Sequence, residues 1–245
     1  MLSQNKVTRI SKFDRPKLDA PITVRVVFSK TGHLQYFSHL DLQRTWQRVL
    51  VRASIPMWYT QGFNPHSKIV FGVPLPVGSE GMEEMVDLRI DREITPAEIK
   101  DQLNAELTSE MQVSEVYVPK TSFADIAWGT YHMTVKTPGD PIDNAAAINR
   151  IFAPDAEPII MTKRSKSGDK EVNILPMIHS VKAVAADGLI KIRATLRAGN
   201  VENLKPEYLI KAMRDQLGLP PRTGRRTRFG TASSALASTT KRAWK

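Results

Sequence analysis

From Ile22 to Phe28, apolar residues alternate with more polar ones: Ile22, Val24, Val26 and Phe28 fall on one side, Thr23, Arg25 and Val27 on the other. A period of two predicts a strand with one buried face. Leu42, Trp46, Val49, Leu50 and Ala53 then fall on one stripe of a 3.6-residue repeat, so a helix is predicted over 39–53. Ser38 and Asp41 stand in a capping-box relation at its start, and Ile55-Pro56 closes it. Met57 to Tyr59 reads as a short strand. The run Gln61-Gly62-Phe63-Asn64-Pro65-His66-Ser67-Lys68 reads as a structured loop entering the strand Ile69 to Phe71. Proline-rich Val73 to Gly78 suits an edge or surface path, and Glu80 to Glu84 an acidic connection. Alternation returns from Met85 to Ile90. Thr95-Pro96-Ala97-Glu98 then combines an N-cap, a first-turn proline and a capping-box glutamate, with Ile99, Leu103 and Leu107 as the buried face. Val113, Val116 and Val118 form the last apolar segment.

The resulting order, β-α-β-β-α-β, is the split arrangement called ferredoxin-like. The second half follows a similar course. Tyr131, Met133 and Val135 alternate with His132, Thr134 and Lys136, and Asp140-Pro141 starts a helix to about Phe152. Lys163 to Lys170 reads as a mobile basic loop. Val181 to Ala186, Asp187-Gly188 and Leu189 to Leu196 carry the signature of a hairpin with a type I′ turn. An amphipathic helix over 204–217 ends at Gly218, and 225–229 suits a final strand. The expected fold class is therefore α+β with two ferredoxin-like halves and flexible basic termini. Its divisions are an arm at 1–20, domains at 21–120 and 125–230, and a disordered basic tail at 231–245.

Composition changes this picture in two respects. The chain of 245 residues has no cysteine, which excludes disulfides, thiolate zinc sites, iron–sulfur clusters and cysteine nucleophiles. Its formal net charge of +10 is concentrated at the ends. Residues 1–20 and 221–245 are cationic, while the body between them sums to neutrality, a distribution suited to tails that find a polyanion. No apolar run approaches the roughly 20 residues of a membrane span and no secretory signal is recognisable, so the expected location is the cytoplasm, away from membranes.

The candidate nucleic-acid or partner contacts are Lys30, Arg44, Arg48, Arg52, Gln61, Asn64, Lys68, Arg225, Arg226 and Arg228. Arg44, Arg48 and Arg52 recur along one helix face with no acid between Leu42 and Ala53, as phosphate clamps do. Gln61 and Asn64 offer paired donor and acceptor atoms for a base edge, or cap their own turn. His33, His39 and His66 lie in the most distinctive segments and admit three readings: pinning of two loops, a metal site, or acid–base catalysis. Glu80, Glu83, Glu84 and Asp87 form a carboxylate cluster that reads as a solvated turn or a hard-cation site. No glycine-rich phosphate loop and no RNA-recognition aromatic motif occurs.

The segment 28–90 combines S-K-x-G after the first strand, F-S-H-x-D-L at the first helix, and Q-G-F-N-P-H-x-K-I followed by P-L-P-x-G. In this combination it resembles the radical-SAM-linked protein family, a bacterial family without an assigned molecular function. Further on, Lys170-Glu171-Val172-Asn173-Ile174 resembles a K-E-x-D-I element, with Asn at the acidic position. The resemblance implies a radical SAM protein as partner and a genomic setting near large-subunit ribosomal proteins. S-adenosylmethionine and its iron–sulfur cluster would then belong to the partner, this chain having no cofactor of its own. The leading expectation is a non-catalytic adaptor that binds RNA or a ribosomal particle. A metal-independent RNA-processing enzyme and a protein-interaction scaffold without RNA remain as alternatives.

Overall fold

A computed structural model describes residues 14–165, 168–199 and 202–218, which fall into two units divided between Phe123 and Ala124. The fold is a mixture of antiparallel sheets and four helices among the described residues. None of these helices is long and apolar enough to cross a membrane.

The first unit contains β1 (Lys17–Lys30), α1 (His39–Arg52), β2 (Ile69–Phe71), β3 (Gly81–Arg92), α2 (Pro96–Asn104) and β4 (Val113–Tyr117). Its sheet is antiparallel in the order β2-β3-β1-β4. Ile22 pairs with Ile90, Val24 with Leu88 and Val26 with Val86, which aligns the apolar faces of the two central strands. Trp46 of α1 meets Phe28 edge-on at 4.9 Å, and Ile99 and Leu103 of α2 join the same core. Both helices start as their capping residues dictate. Ser38 and Asp41 complete a reciprocal capping box, as do Thr95 and Glu98 with Pro96 in the first turn.

Three expectations change here. The first strand begins at Lys17 rather than after residue 20, because buried Arg15 anchors its approach: it bonds to the Glu98 carboxylate at 3.0 Å and the Glu93 carbonyl at 3.1 Å. The expected strand at Met57 to Tyr59 is reduced to two isolated bridges, Met57 to Ile90 and Tyr59 to Ser67. The acidic connection at Glu80 to Glu84 is instead the start of β3, which begins at Gly81. Once these residues are in a strand, alternation sends neighbouring carboxylates to opposite faces and the cluster disperses.

The second unit contains β5 (Trp128–Val135), α3 (Pro141–Ile151), β6 (Ile160–Ser165), β7 (Gly168–Asn173), β8 (Ile178–Ala186), β9 (Leu189–Arg197) and α4 (Pro206–Gln216). β5, β9 and β8 form one antiparallel sheet in that order, and β6 and β7 form a separate hairpin. Asp187 and Gly188 both have positive φ, 56° and 70°, as a type I′ turn requires. β8 is an edge of its sheet. Asn149 of α3 occupies that edge at Ala183, donating to its carbonyl at 2.9 Å and accepting from its N–H at 2.8 Å.

The basic stretch expected as a mobile loop is this second hairpin, with Thr162 opposite Glu171 and Lys163 opposite Lys170. Backbone pairing defines it, and Gly168 to Glu171 remain exposed, so the sequence has no apolar alternation to announce it. Asn173 explains its place in the K-E-x-D-I-like element. Its side-chain oxygen accepts from the N–H groups of Ile159 and Leu175, bonds that an aspartate oxygen accepts equally well. Residues 1–13, the expected strand at 225–229 with Arg225, Arg226 and Arg228, and the tail at 231–245 lie outside the described residues.

Candidate functional site

The distinctive motifs of the first unit meet at one end of its sheet. Lys30 continues the buried face of β1 after Phe28, and Glu84 lies on the corresponding face of β3. Together with Phe37, His39, Leu42, Phe71, Pro74 and Leu75 they line a narrow cleft with room for little more than a water molecule. Lys30, only 2 % exposed, donates through Nζ to the Ser79 carbonyl at 3.0 Å. Gly32 N–H donates to the Glu80 carboxylate at 2.8 Å, and Gly78 N–H to the Gln35 carbonyl at 2.8 Å. The S-K-x-G turn and the segment after P-L-P are thus two sides of one hydrogen-bonded junction.

Burial dominates the electrostatics of this junction. It pushes the Glu84 carboxyl up to about 7, with nearby Lys30 pulling the other way. The same burial lowers the Lys30 ammonium, opposed by Glu84 and then Glu80. His39 closes the cleft at the start of α1, its ring edge-on to Phe71 at 5.3 Å. Gly32 has φ +58°, and a Cβ there would run into the Glu110 carboxylate. Gly32→Ala is therefore expected to lower stability by about 1–2 kcal/mol, mostly from the left-handed backbone, as a thermal melt will show.

The loop between Tyr59 and Lys68 forms a second feature. Its base is closed by the Tyr59–Ser67 bridge, by Thr60 N–H donating to the His66 carbonyl at 3.0 Å, and by His66 N–H donating to Thr60 Oγ1 at 3.1 Å. His66 Nδ1 lies 3.1 Å from Thr60 Oγ1 and 3.3 Å from the Asn64 carbonyl. Phe63 stands fully exposed at the tip, beside exposed Gln61, Asn64 and Lys68. Among the described residues the Gln61 and Asn64 side chains make no hydrogen bond, so their donors and acceptors are uncommitted.

The arginine series does not behave as a unit. Arg44 and Arg48 are exposed on α1, whereas Arg52 bonds to the Glu106 carboxylate at 3.1 Å, supplied by the segment after α2. The three histidines are likewise dispersed. His66 serves the loop, His39 the cleft, and His33 Nδ1 sits 2.9 Å from Glu110. The His33 backbone N–H, with its ring, holds the Glu110 carboxyl below its usual range. Among the described residues no three of His, Asp and Glu stand close enough to hold a metal ion.

Sequence reasoning missed Arg25 and the separate fates of Glu84 and Asp87. Arg25 lies on the sheet face opposite Phe28 and is 1 % exposed. It forms a bidentate pair with Asp87 at 2.7 and 2.9 Å, donates to the Thr121 carbonyl at 3.1 Å, and stacks on Phe123 at 3.9 Å. The sequence carried no signal for it, because Arg25 sits on the polar phase of its strand, opposite Val24, Val26 and Phe28, where an arginine ordinarily faces water.

No curated protein matches this chain. A bacterial protein family matches residues 23–206, a span that includes the cleft, the Phe63 loop and most of the second unit. By that match the chain belongs to the family described as uncharacterized protein conserved in bacteria (DUF2344).

Proposed function

We propose that this protein is a non-catalytic accessory module of a radical SAM enzyme, which binds RNA or a ribonucleoprotein and presents it to that partner. The observation that carries the RNA reading is Phe63, an aromatic ring held in solvent on a closed loop, flanked by two uncommitted amides and Lys68. Exposed rings stack on unpaired bases and amides read base edges, while Arg44 and Arg48 offer charge for phosphates. The radical SAM partnership is supported by the motif resemblance in 28–90. A chain without cysteine leaves the cluster that cleaves S-adenosylmethionine to another protein. The strand order β2-β3-β1-β4 with both helices packed into one core supports a ferredoxin-like reading of the first unit. The order β5-β9-β8, with α3 after the first of these strands in sequence and α4 after the last, supports the same reading of the second.

The test is binding of a labelled single-stranded RNA, followed by fluorescence anisotropy. Phe63→Ala is expected to weaken binding about tenfold, the size of one lost stacking contact, without changing the salt dependence. Affinity unchanged in Phe63→Ala overturns the assignment of this loop.

A second reading is favoured by the cleft. A buried lysine, a carboxyl that titrates near neutrality and an imidazole at the rim form a set suited to proton transfer, as a metal-independent RNA-processing enzyme needs. RNA cleavage lost in His39→Ala with RNA binding intact would favour this reading over the adaptor.

A further inference from the structure

The sheet of the second unit has one face built of Tyr131, Met133, Ile190, Ile192, Ala194 and Leu196, all buried. Its other face is exposed around His132, Arg193 and Lys182 and closes at buried Thr130, which shares a hydroxyl–hydroxyl bond with Thr195 at 3.2 Å, and the strand registers arrange it in rows. His132 of β5 lies opposite Arg193 of β9, which lies opposite Lys182 of β8, and all three are exposed. Lys191 lies one row away, between Thr134 and Val184, and pairs with Asp187 at the turn. In the other direction Thr195 lies opposite Ser180, and beyond them Trp128 carries Arg197 at 4.3 Å with the His179 ring at 5.3 Å.

Two features of this face need an explanation. Like charges directly opposite one another on adjacent strands are destabilising, yet Lys182 and Arg193 occupy such a pair. Among the described residues no carboxylate is bonded to either: Asp187, the sole acid in 128–136 and 178–197, sits in the turn bonded to Lys191 at 2.9 Å, and Glu202 reaches Arg197 at 3.6 Å instead. A sheet that keeps Lys182 and Arg193 side by side at a cost to its own stability is matched to an anion from outside. These two cations, the hydroxyls beside them and the aromatic pair at one end together suit a polyanion that also has rings. There is little apolar surface to enter a lipid layer, Val184 being the one large exposed aliphatic among these positions.

We infer that the open face of β5-β9-β8 is a binding track for single-stranded RNA, with His132, Arg193 and Lys182 on the phosphates and Trp128 and His179 toward the bases. This deepens the RNA reading above and rests on it, but uses a different surface from the Phe63 loop.

The experiment uses the full chain and a fluorescein-labelled uridine 20-mer, titrated from 50 to 200 mM salt. The variants are Lys182→Thr/Arg193→Thr, Lys182→Glu and, for the first unit, Arg44→Gln/Arg48→Gln. Lys182→Glu turns the like-charge pair into an ion pair, so its fold is favoured while the row loses its charge. The track predicts at least tenfold weaker binding for both second-unit variants, a salt slope reduced by about one or more, and a melting temperature at or above wild type. Binding and slope unchanged in both of these variants, with loss confined to Arg44→Gln/Arg48→Gln, overturns the track and leaves the RNA reading standing. Absence of binding by the wild-type chain overturns both. Binding to vesicles containing phosphatidylserine in preference to the 20-mer overturns the track in favour of a membrane surface.

Discussion

Asp87→Ala is expected to destabilise the first unit by about 3–5 kcal/mol, the largest single effect anticipated for any polar residue here. The reason is Arg25. Its guanidinium is almost wholly removed from water, and its carboxylate partner makes two of the three hydrogen bonds recorded for it. Removing Asp87 leaves a buried cation with the Thr121 carbonyl, Tyr117 and the Phe123 ring, none of which carries the compensating charge. Asp87→Asn keeps one acceptor and is expected to cost less. Replacing both partners, as in Arg25→Leu/Asp87→Leu, is expected to recover much of the loss, because the orphaned charge is then absent. Urea unfolding of the four proteins checks this order, and a double variant no more stable than Asp87→Ala contradicts the account of the pair.

The second large effect depends on pH. Glu84 has its folded pKa raised from 4.5 to about 7, chiefly by burial. Between these values the folded chain holds a proton that the unfolded chain releases. Stability associated with Glu84 is therefore fully present below pH 4.5, falls as pH rises, and reaches its lower plateau above about 7. The full swing is on the order of 3 kcal/mol. Lys30, which shares the cleft, is shifted downward from an ordinary value of 10.5, so its own contribution varies at the alkaline end. Urea midpoints at pH 5, 6, 7 and 8 are expected to decline in the wild type and to flatten in Glu84→Gln. An equal decline in Glu84→Gln assigns the proton to another group.

Both effects arise from pairings that a linear reading cannot see. Arg25 and Asp87 are 62 residues apart, and nothing near either names the other. Glu84 was read with Glu80, Glu83 and Asp87 because they are adjacent in sequence. A strand beginning at Gly81 places Glu84 inside and Asp87 against Arg25, and leaves Glu83 exposed. Local chemistry was legible in detail. Ser38 with Asp41, Thr95 with Glu98, Asp140 before α3 and Asp187-Gly188 each fix a backbone event within four residues, and each stands where its hydrogen-bonding capacity predicts.

The candidate site was legible only as separate motifs. Lys30, His39 and the proline segment were visible as distinctive residues, but their meeting at one cleft depends on how β1 and β3 register. The arginine series shows the same limit in reverse. A regular spacing on α1 grouped three residues, and Glu106, distant in sequence, removes Arg52 from the group. The cationic row of the second unit had no sequence signature, since His132, Lys182 and Arg193 become neighbours only through strand pairing.

The central claim is that this chain joins an RNA to a radical SAM protein. It is tested most directly by recovering the tagged full-length protein from its own cells, half treated with nuclease, and identifying the proteins and RNAs retained. The account predicts a radical SAM protein in both halves, with an RNA or ribosomal species in the untreated half alone and depleted when the bait is Phe63→Ala. Recovery of neither a radical SAM protein nor an enriched RNA would contradict it.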